Sequence, residues 1–229
     1  MTFPTWQAAG NGAATPWAAS SGTSKTILVP SGATAGHLGI IVVATNGGAS
    51  NNHSIAGWTR KHQTTLLSWG DTYVMISLHW KKLVSGDINA NAAITLGAAL
   101  RGGASIHTFA NAEVDSDPFV DPKISESASS AQPVTLTCST VGVAESALLT
   151  ILEKDTVTIT TTPPAGFTRR HDPGTANEAG HVAVKENVGP GSNAHAWTMS
   201  TTNRNTEYLV AIKAAAAAAP EYAGWGVTS

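Results

Sequence analysis

The side chains able to do chemistry in this chain of 229 residues fall into a few small groups. His62 and His171 occupy matching positions in two copies of one motif, Ala56-Gly57-Trp58-Thr59-Arg60-Lys61-His62 and Ala165-Gly166-Phe167-Thr168-Arg169-Arg170-His171. Facing each other across a pseudo-two-fold axis, two imidazoles could share a metal ion or sense pH. No further histidine stands at ligand spacing on the same strand, so the plainer reading is two surface histidines behind basic residues. Glu113, Asp115, Asp117 and Asp121 form an acidic cluster, and oxygen-rich loops bind calcium. This one lacks the central glycine and closing glutamate of an EF-hand loop, which favours a solvated loop.

Cys138 is the single cysteine, so no intrachain disulfide forms and a reducing site of synthesis is the simplest reading. It alternates with Val134 and Leu136, which makes it a core thiol rather than a nucleophile. Of the seven tryptophans, Trp6, Trp17, Trp69 and Trp225 stand in loops or at the ends. Exposed indoles there stack on sugars or anchor protein interfaces, so these four and Tyr222 are the candidate interaction residues. Trp58, Trp80 and Trp197 sit in strand patterns and are expected in the core. The chain has no G-x-S-x-G elbow, phosphate loop, H-E-x-x-H or C-x-x-C. The strands carry few acids facing one way, as a glycosidase pair would require. The expectation is a non-enzymatic protein with no catalytic residues, no metal ligands and no cofactor.

These groups are carried by an all-β pattern. In residues 72–80, Val74, Ile76, Leu78 and Trp80 alternate with Tyr73, Met75, Ser77 and His79, and Tyr208, Val210 and Ile212 share a face. Period-two alternation predicts half-buried strands. Residues 38–44 and 147–152 are continuous apolar runs, which predict strands covered on both faces. Gly- and Pro-rich turns such as Asn46-Gly47-Gly48 and Asp172-Pro173-Gly174 separate the strands at the ~8–12-residue spacing of a β-sandwich or jelly roll. The doubled motif recurs at an offset of 109 residues (56 to 165), and the two apolar runs share that offset. The predicted organisation is an N-terminal segment or arm at 1–24, a first β half at 25–112 and a crossover loop at 113–133. A second β half follows at 134–213, then an Ala-rich arm at 214–229. The two halves fit either one sandwich or two packed sub-domains related by a pseudo-two-fold.

Charged residues make up only 12% of the chain and the net charge is -2. The basic residues are scattered, which predicts no binding to nucleic acid and no polybasic membrane patch. The first ten residues lack the pattern of a signal peptide, and no run approaches the ~18 apolar residues of a membrane span. A charge-poor surface of small hydroxyl residues suits packing against copies of itself or other proteins.

The order of elements resembles a family of bacteriophage and prophage minor tail-type virion proteins. The resemblance rests on Pro4-Thr5-Trp6-Gln7-Ala8-Ala9, the Val29-Pro30-Ser31-Gly32 passage to Leu38, the two Gly-aromatic-Thr turns, Trp80-Lys81 and the closing Val210-Ala211-Ile212-Lys213-Ala214. It covers most of residues 1–214, with His37 and Ile55 standing where the family usually has aspartate and proline. It implies a virion localisation and a structural role in the tail or tail tip, in assembly or adhesion, with itself (a homo-oligomer) and other virion proteins as partners. Two alternatives are a capsid decoration protein and a carbohydrate-binding module for host-surface glycans.

Overall fold

A computed structural model describes residues 2–8, 22–46, 52–64, 67–69, 72–98, 101–140, 142–143, 145–154, 159–172 and 180–216. The first half comprises β1 (Thr5–Trp6), β2 (Ser24–Leu28), β3 (Leu38–Asn46), β4 (Ser54–Ile55), β5 (Thr59–Gln63), β6 (Leu67–Trp69), β7 (Thr72–Lys82), β8 (Asn91–Thr95) and β9 (Arg101–Ala110). The second comprises β10 (Phe119–Ala131), β11 (Leu136–Ser139), β12 (Ser146–Lys154), β13 (Thr161–Thr162), β14 (Thr168–His171), β15 (His181–Val188), β16 (Ser192–His195), β17 (Thr198–Met199) and β18 (Asn203–Lys213).

Each half builds one large antiparallel sheet, ordered β1-β9-β3-β7-β5 (with β6 also on β7) and β10-β18-β12-β15-β14. Beside them lie small sheets, β2-β8-β4 in the first half and the pairs β11-β16 and β13-β17 in the second. The protein is all-β and built of sandwiches. The five strands in the main order of each large sheet correspond one to one, so the doubled sequence motif is a doubled topology.

The alternation along β3 sets the layers. Leu38, Ile40, Val42 and Ala44 join Ala147, Leu149, Ile151, Tyr208, Val210 and Ile212 in a core between the two large sheets. Ile41 and Val43 point the other way, into a core closed by Ile27 and Ile94 of the first small sheet. Leu148 and Leu152 do the same against Trp197 and Met199 in the second half. The order is small sheet, large sheet, large sheet, small sheets, and both apolar runs are covered on both faces.

That stacking corrects several expectations. Strand β7 was expected half-buried, yet Met75, Ser77 and His79 on its second face are as buried as Ile76 and Leu78, because the small sheet covers them. Residues 208–212 are likewise buried throughout. Val134 precedes β11 and is exposed, while Leu136 and Cys138 are buried. The expected crossover loop at 113–133 contains β10, an edge strand on β18. Its pattern was hidden by a bulge between Val120 and Lys123, where Asp121 has φ of 48° beside Pro122. Proline and a bulge are tolerated at a sheet edge, where no ladder partner is lost. Within the expected N-terminal arm, Thr5 and Trp6 form an edge strand on β9. In the C-terminal arm, Ala214 bridges to Ala112, and residues 217–229 lie outside the described residues.

The halves hold each other reciprocally. Arg170 of the second half lies 4.0 Å from the ring centroid of Trp6 in the first. At the matching position, Lys61 of the first half lies 6.0 Å from the ring centroid of Phe119 in the second. Trp6 pairs with Phe109 on β9, and Phe119 with Ile212 on β18, so the aromatics are equivalent too. Such exchange of like contacts is what a two-fold relation requires. Glu186 completes one side: it pairs with Arg170 at 3.1 Å and accepts the Trp6 backbone N–H at 2.6 Å. Arg170→Ala is expected to cost about 2 kcal/mol, from a cation–π contact and a partly shielded ion pair. Arg170→Lys should cost less, since lysine serves at position 61; chemical denaturation of the three proteins measures this.

Candidate functional site

The motif Ala-Gly-aromatic-Thr-Arg is a turn followed by a brace. The Trp58 N–H reaches the Ile55 carbonyl at 3.1 Å, and the Phe167 N–H reaches the Pro164 carbonyl at 3.0 Å. Gly57 and Gly166 have φ of 76° and 80°, as the third position of a type II turn demands. Thr59 and Thr168 then begin β5 and β14. The arginine reaches back over the chain: Arg60 donates to the His53 carbonyl at 3.0 Å and to Gln63, and Arg169 donates to Thr161 and Asp172.

The aromatic residue is where the halves diverge. Phe167 is buried and meets the His195 ring edge-on at 4.6 Å. Trp58 is only half-buried and lines a surface pocket of about 160 Å³ with Lys81, Asp87 and Asn91, floored by Ala90 and Ala92. Gly39 makes this possible. A Cβ there would lie 2.8 Å from Leu83 and 3.0 Å from the tip of the Trp58 indole. The matching residue in the second half is Leu148, packed in the same core as Phe167. A glycine under a tryptophan stands where the second half has a leucine under a phenylalanine.

The polar side of the pocket is fixed by local structure. Lys81 donates to Asp87 Oδ1 at 2.5 Å, and the Val84 N–H donates to Asp87 Oδ2 at 2.8 Å. Asn91 opens β8 on its exposed side, opposite Leu28. Leu28 and Val84 are among the few large apolar side chains that the described surface exposes. The site thus combines an indole, a neutralised ion pair and an amide, with Val29 and four alanines as the rest of its lining. The sequence reading placed Trp58 in the core and missed Lys81, Asp87 and Asn91. The Ser85-Gly86-Asp87 turn and the glycine at 39, within an otherwise apolar run, were the available signals.

The histidines are placed elsewhere. His62 stacks on Tyr208 at 5.5 Å, and His171 lies near His107, so the two do not meet across the pseudo-axis. Under the first small sheet a buried relay runs from Thr45 Oγ1 to His53 Nε2 (2.9 Å), from His53 Nδ1 to Ser77 Oγ (2.8 Å), and from Ser77 Oγ to His79 Nε2 (3.0 Å). A serine between two imidazoles has the makings of a nucleophile and base. Here Ser77 is sealed by protein, with no exposed surface for a substrate to reach. Burial above all holds His53 down to about 3 and His79 to about 4.

The acidic cluster acts as internal ties. Asp117 pairs with Lys61, Asp115 with Lys82 at 2.6 Å and Asp121 with Lys123 at 2.5 Å, while Glu113 accepts the Asp115 and Ser116 N–H groups. Among the described residues, no group of three or more His, Cys, Asp or Glu side chains is arranged to hold a metal ion. Burial pushes the Cys138 thiol up to about 11, which leaves it inert.

Of the candidate interaction residues, Trp6 is half-buried against the central core under Arg170, with its indole nitrogen buried. It acts as an internal clamp, because the second half covers it. Trp69 ends β6, opposite Thr72 on β7. Trp17, Tyr222 and Trp225 lie outside the described residues. Trp197 is core, as expected, donating to Thr150 Oγ1 at 3.0 Å, while Trp80 packs half-buried against the central layer. Comparison of the chain with protein-family models, curated proteins and solved structures finds no match in any of the three.

Proposed function

We propose that this chain is a non-enzymatic bacteriophage virion structural protein, acting in the tail or tail tip as an assembly or adhesion module. The observation that carries the reading is where the reactive side chains are spent. The His53-Ser77-His79 relay and Cys138 are walled into the scaffold, and the acids at 113–121 tie its elements together. What the duplicated fold offers outward is a rigid, charge-poor body. The tail placement rests on the resemblance of the motif order, together with this body plan. Its partners are then other copies of itself and neighbouring virion proteins.

The test is direct. Particles purified on a density gradient should contain the chain at a few copies each, measured by quantitative mass spectrometry. Its absence from intact particles would sink the proposal. Hundreds of copies would move it to the capsid surface as a decoration protein. A role at host-surface glycans is favoured by one observation, the Trp58 pocket.

A further inference from the structure

We propose that the pocket formed by Trp58, Lys81, Asp87 and Asn91 binds a single neutral six-membered sugar ring. This goes beyond the virion reading and stands whether or not that reading holds. Size comes first. The pocket measures about 160 Å³. A cavity of roughly 150 Å³ is known to accept one benzene-sized ring, so the space suits one ring with its substituents toward the open mouth.

Charge comes next. Lys81 and Asp87 lie 2.5 Å apart and neutralise each other, which removes the incentive for an anion or a cation. The Lys81 ammonium still has donors to spare after that bond, and each Asp87 oxygen can accept a second hydrogen bond. Asn91 adds a donor and an acceptor on one planar group. Donors and acceptors of both kinds, packed this closely, match the adjacent hydroxyls of a pyranose. A plain aromatic ring would leave them unpaired, at a cost that polar sites use to reject such ligands. The Trp58 indole supplies the apolar wall for the ring's C–H face.

Divergence within the molecule points the same way. At the equivalent place in the second half, Phe167 is buried and packed against His195. The first half instead combines Gly39 with a larger, half-exposed indole. The Leu148 and Phe167 arrangement meets the packing need with a buried ring, whereas the Trp58 indole both packs on the core and keeps part of its surface in the pocket.

Ligand-observed saturation-transfer NMR on the full chain tests this, with D-glucose, D-galactose, D-mannose and N-acetyl-D-glucosamine as probes and phenol and glucuronate as controls. The expected result is saturable, millimolar binding of at least one neutral pyranose. Asn91→Ala and Asp87→Asn should each weaken it about tenfold, the scale of one lost hydrogen bond to a charged or well-placed group. Trp58→Ala should abolish it. Asn91 is exposed, so its variant should melt with the parent protein, and Trp58→Phe keeps an aromatic wall should Trp58→Ala fail to fold. Failure of every pyranose to bind overturns the proposal. So does binding that survives Asn91→Ala and Trp58→Phe unchanged, or preference for phenol or glucuronate over all four sugars.

Discussion

The stability of this protein should peak at about pH 7 and fall on both sides, steeply toward acid. His53, His79, His107 and His181 are all at most 3% exposed. Burial holds His53 and His107 to about 3 and His79 to about 4, and it also lowers His181. In the unfolded chain each would protonate near 6.5. Between those values the unfolded state binds more protons, so stability is lost as pH falls below 6.5. One unit below that point, four such residues together cost about 5 kcal/mol, which approaches the ~5–15 kcal/mol that holds a typical domain together. Acid unfolding is therefore expected between about pH 4 and 5.5, read by circular dichroism.

The alkaline side belongs to Glu207. It lies on the outer face of the second large sheet, between Leu152 and Ser125 in register, with 1% of its surface exposed and Oε1 unpaired. Burial raises its carboxyl to about 8. The unfolded chain releases that proton near 4.5, so Glu207 erodes stability as pH climbs from 4.5 to 8, by roughly 5 kcal/mol in full. Two variants separate the limbs. Glu207→Gln should flatten the alkaline limb and leave pH 4.5 unchanged. His107 opposes Ile40 in the ladder, as Val210 opposes Leu149 at the matching place in the second half. His107→Val should therefore fit, and should shift the acid limb down by a few tenths of a unit. A pH-independent melting temperature from 5 to 8.5 would contradict the whole account.

The second large effect concerns cooperativity. Ile40 and Leu149 occupy matching positions in the core between the large sheets, and neither half can close that core alone. Ile40→Ala and Leu149→Ala should each cost about 3–4 kcal/mol through lost burial and a residual cavity. In a chain of this length each should lower the melting temperature by roughly 10 °C. Both should shift one and the same transition, with equal calorimetric and van't Hoff enthalpies. If calorimetry resolves two transitions, and each variant moves only one, then the halves are independent domains and the shared core contributes little.

The sequence alone determined the parts whose cause is local. Gly57 and Gly166 had to turn with positive φ because a type II turn needs it, and the doubled motif announced two equivalent halves. The apolar runs at 38–44 and 147–152 had to be covered on both faces, because no water-facing strand is apolar at every position. Strand β10 stayed hidden, since a Ser-rich edge strand with a proline bulge carries little alternation. Only the tertiary structure decided what covers each face. Ser77 and His79 alternate with apolar residues as a solvent face would, yet the small sheet lies over them, His53 bonds to Ser77 from 24 residues away, and Ser77 bonds in turn to His79. The cluster at Glu113, Asp115, Asp117 and Asp121 had the composition of a solvated loop, and became ties to Lys61, Lys82 and Lys123. Trp6 left the pool of exposed tryptophans because Arg170, far along the chain, closed over it. Trp58 became half-buried beside a pocket, because Gly39 leaves room for the tip of its ring. Alternation fixes which side chains share a face; long-range packing fixes whether that face meets water, a partner sheet or a pocket.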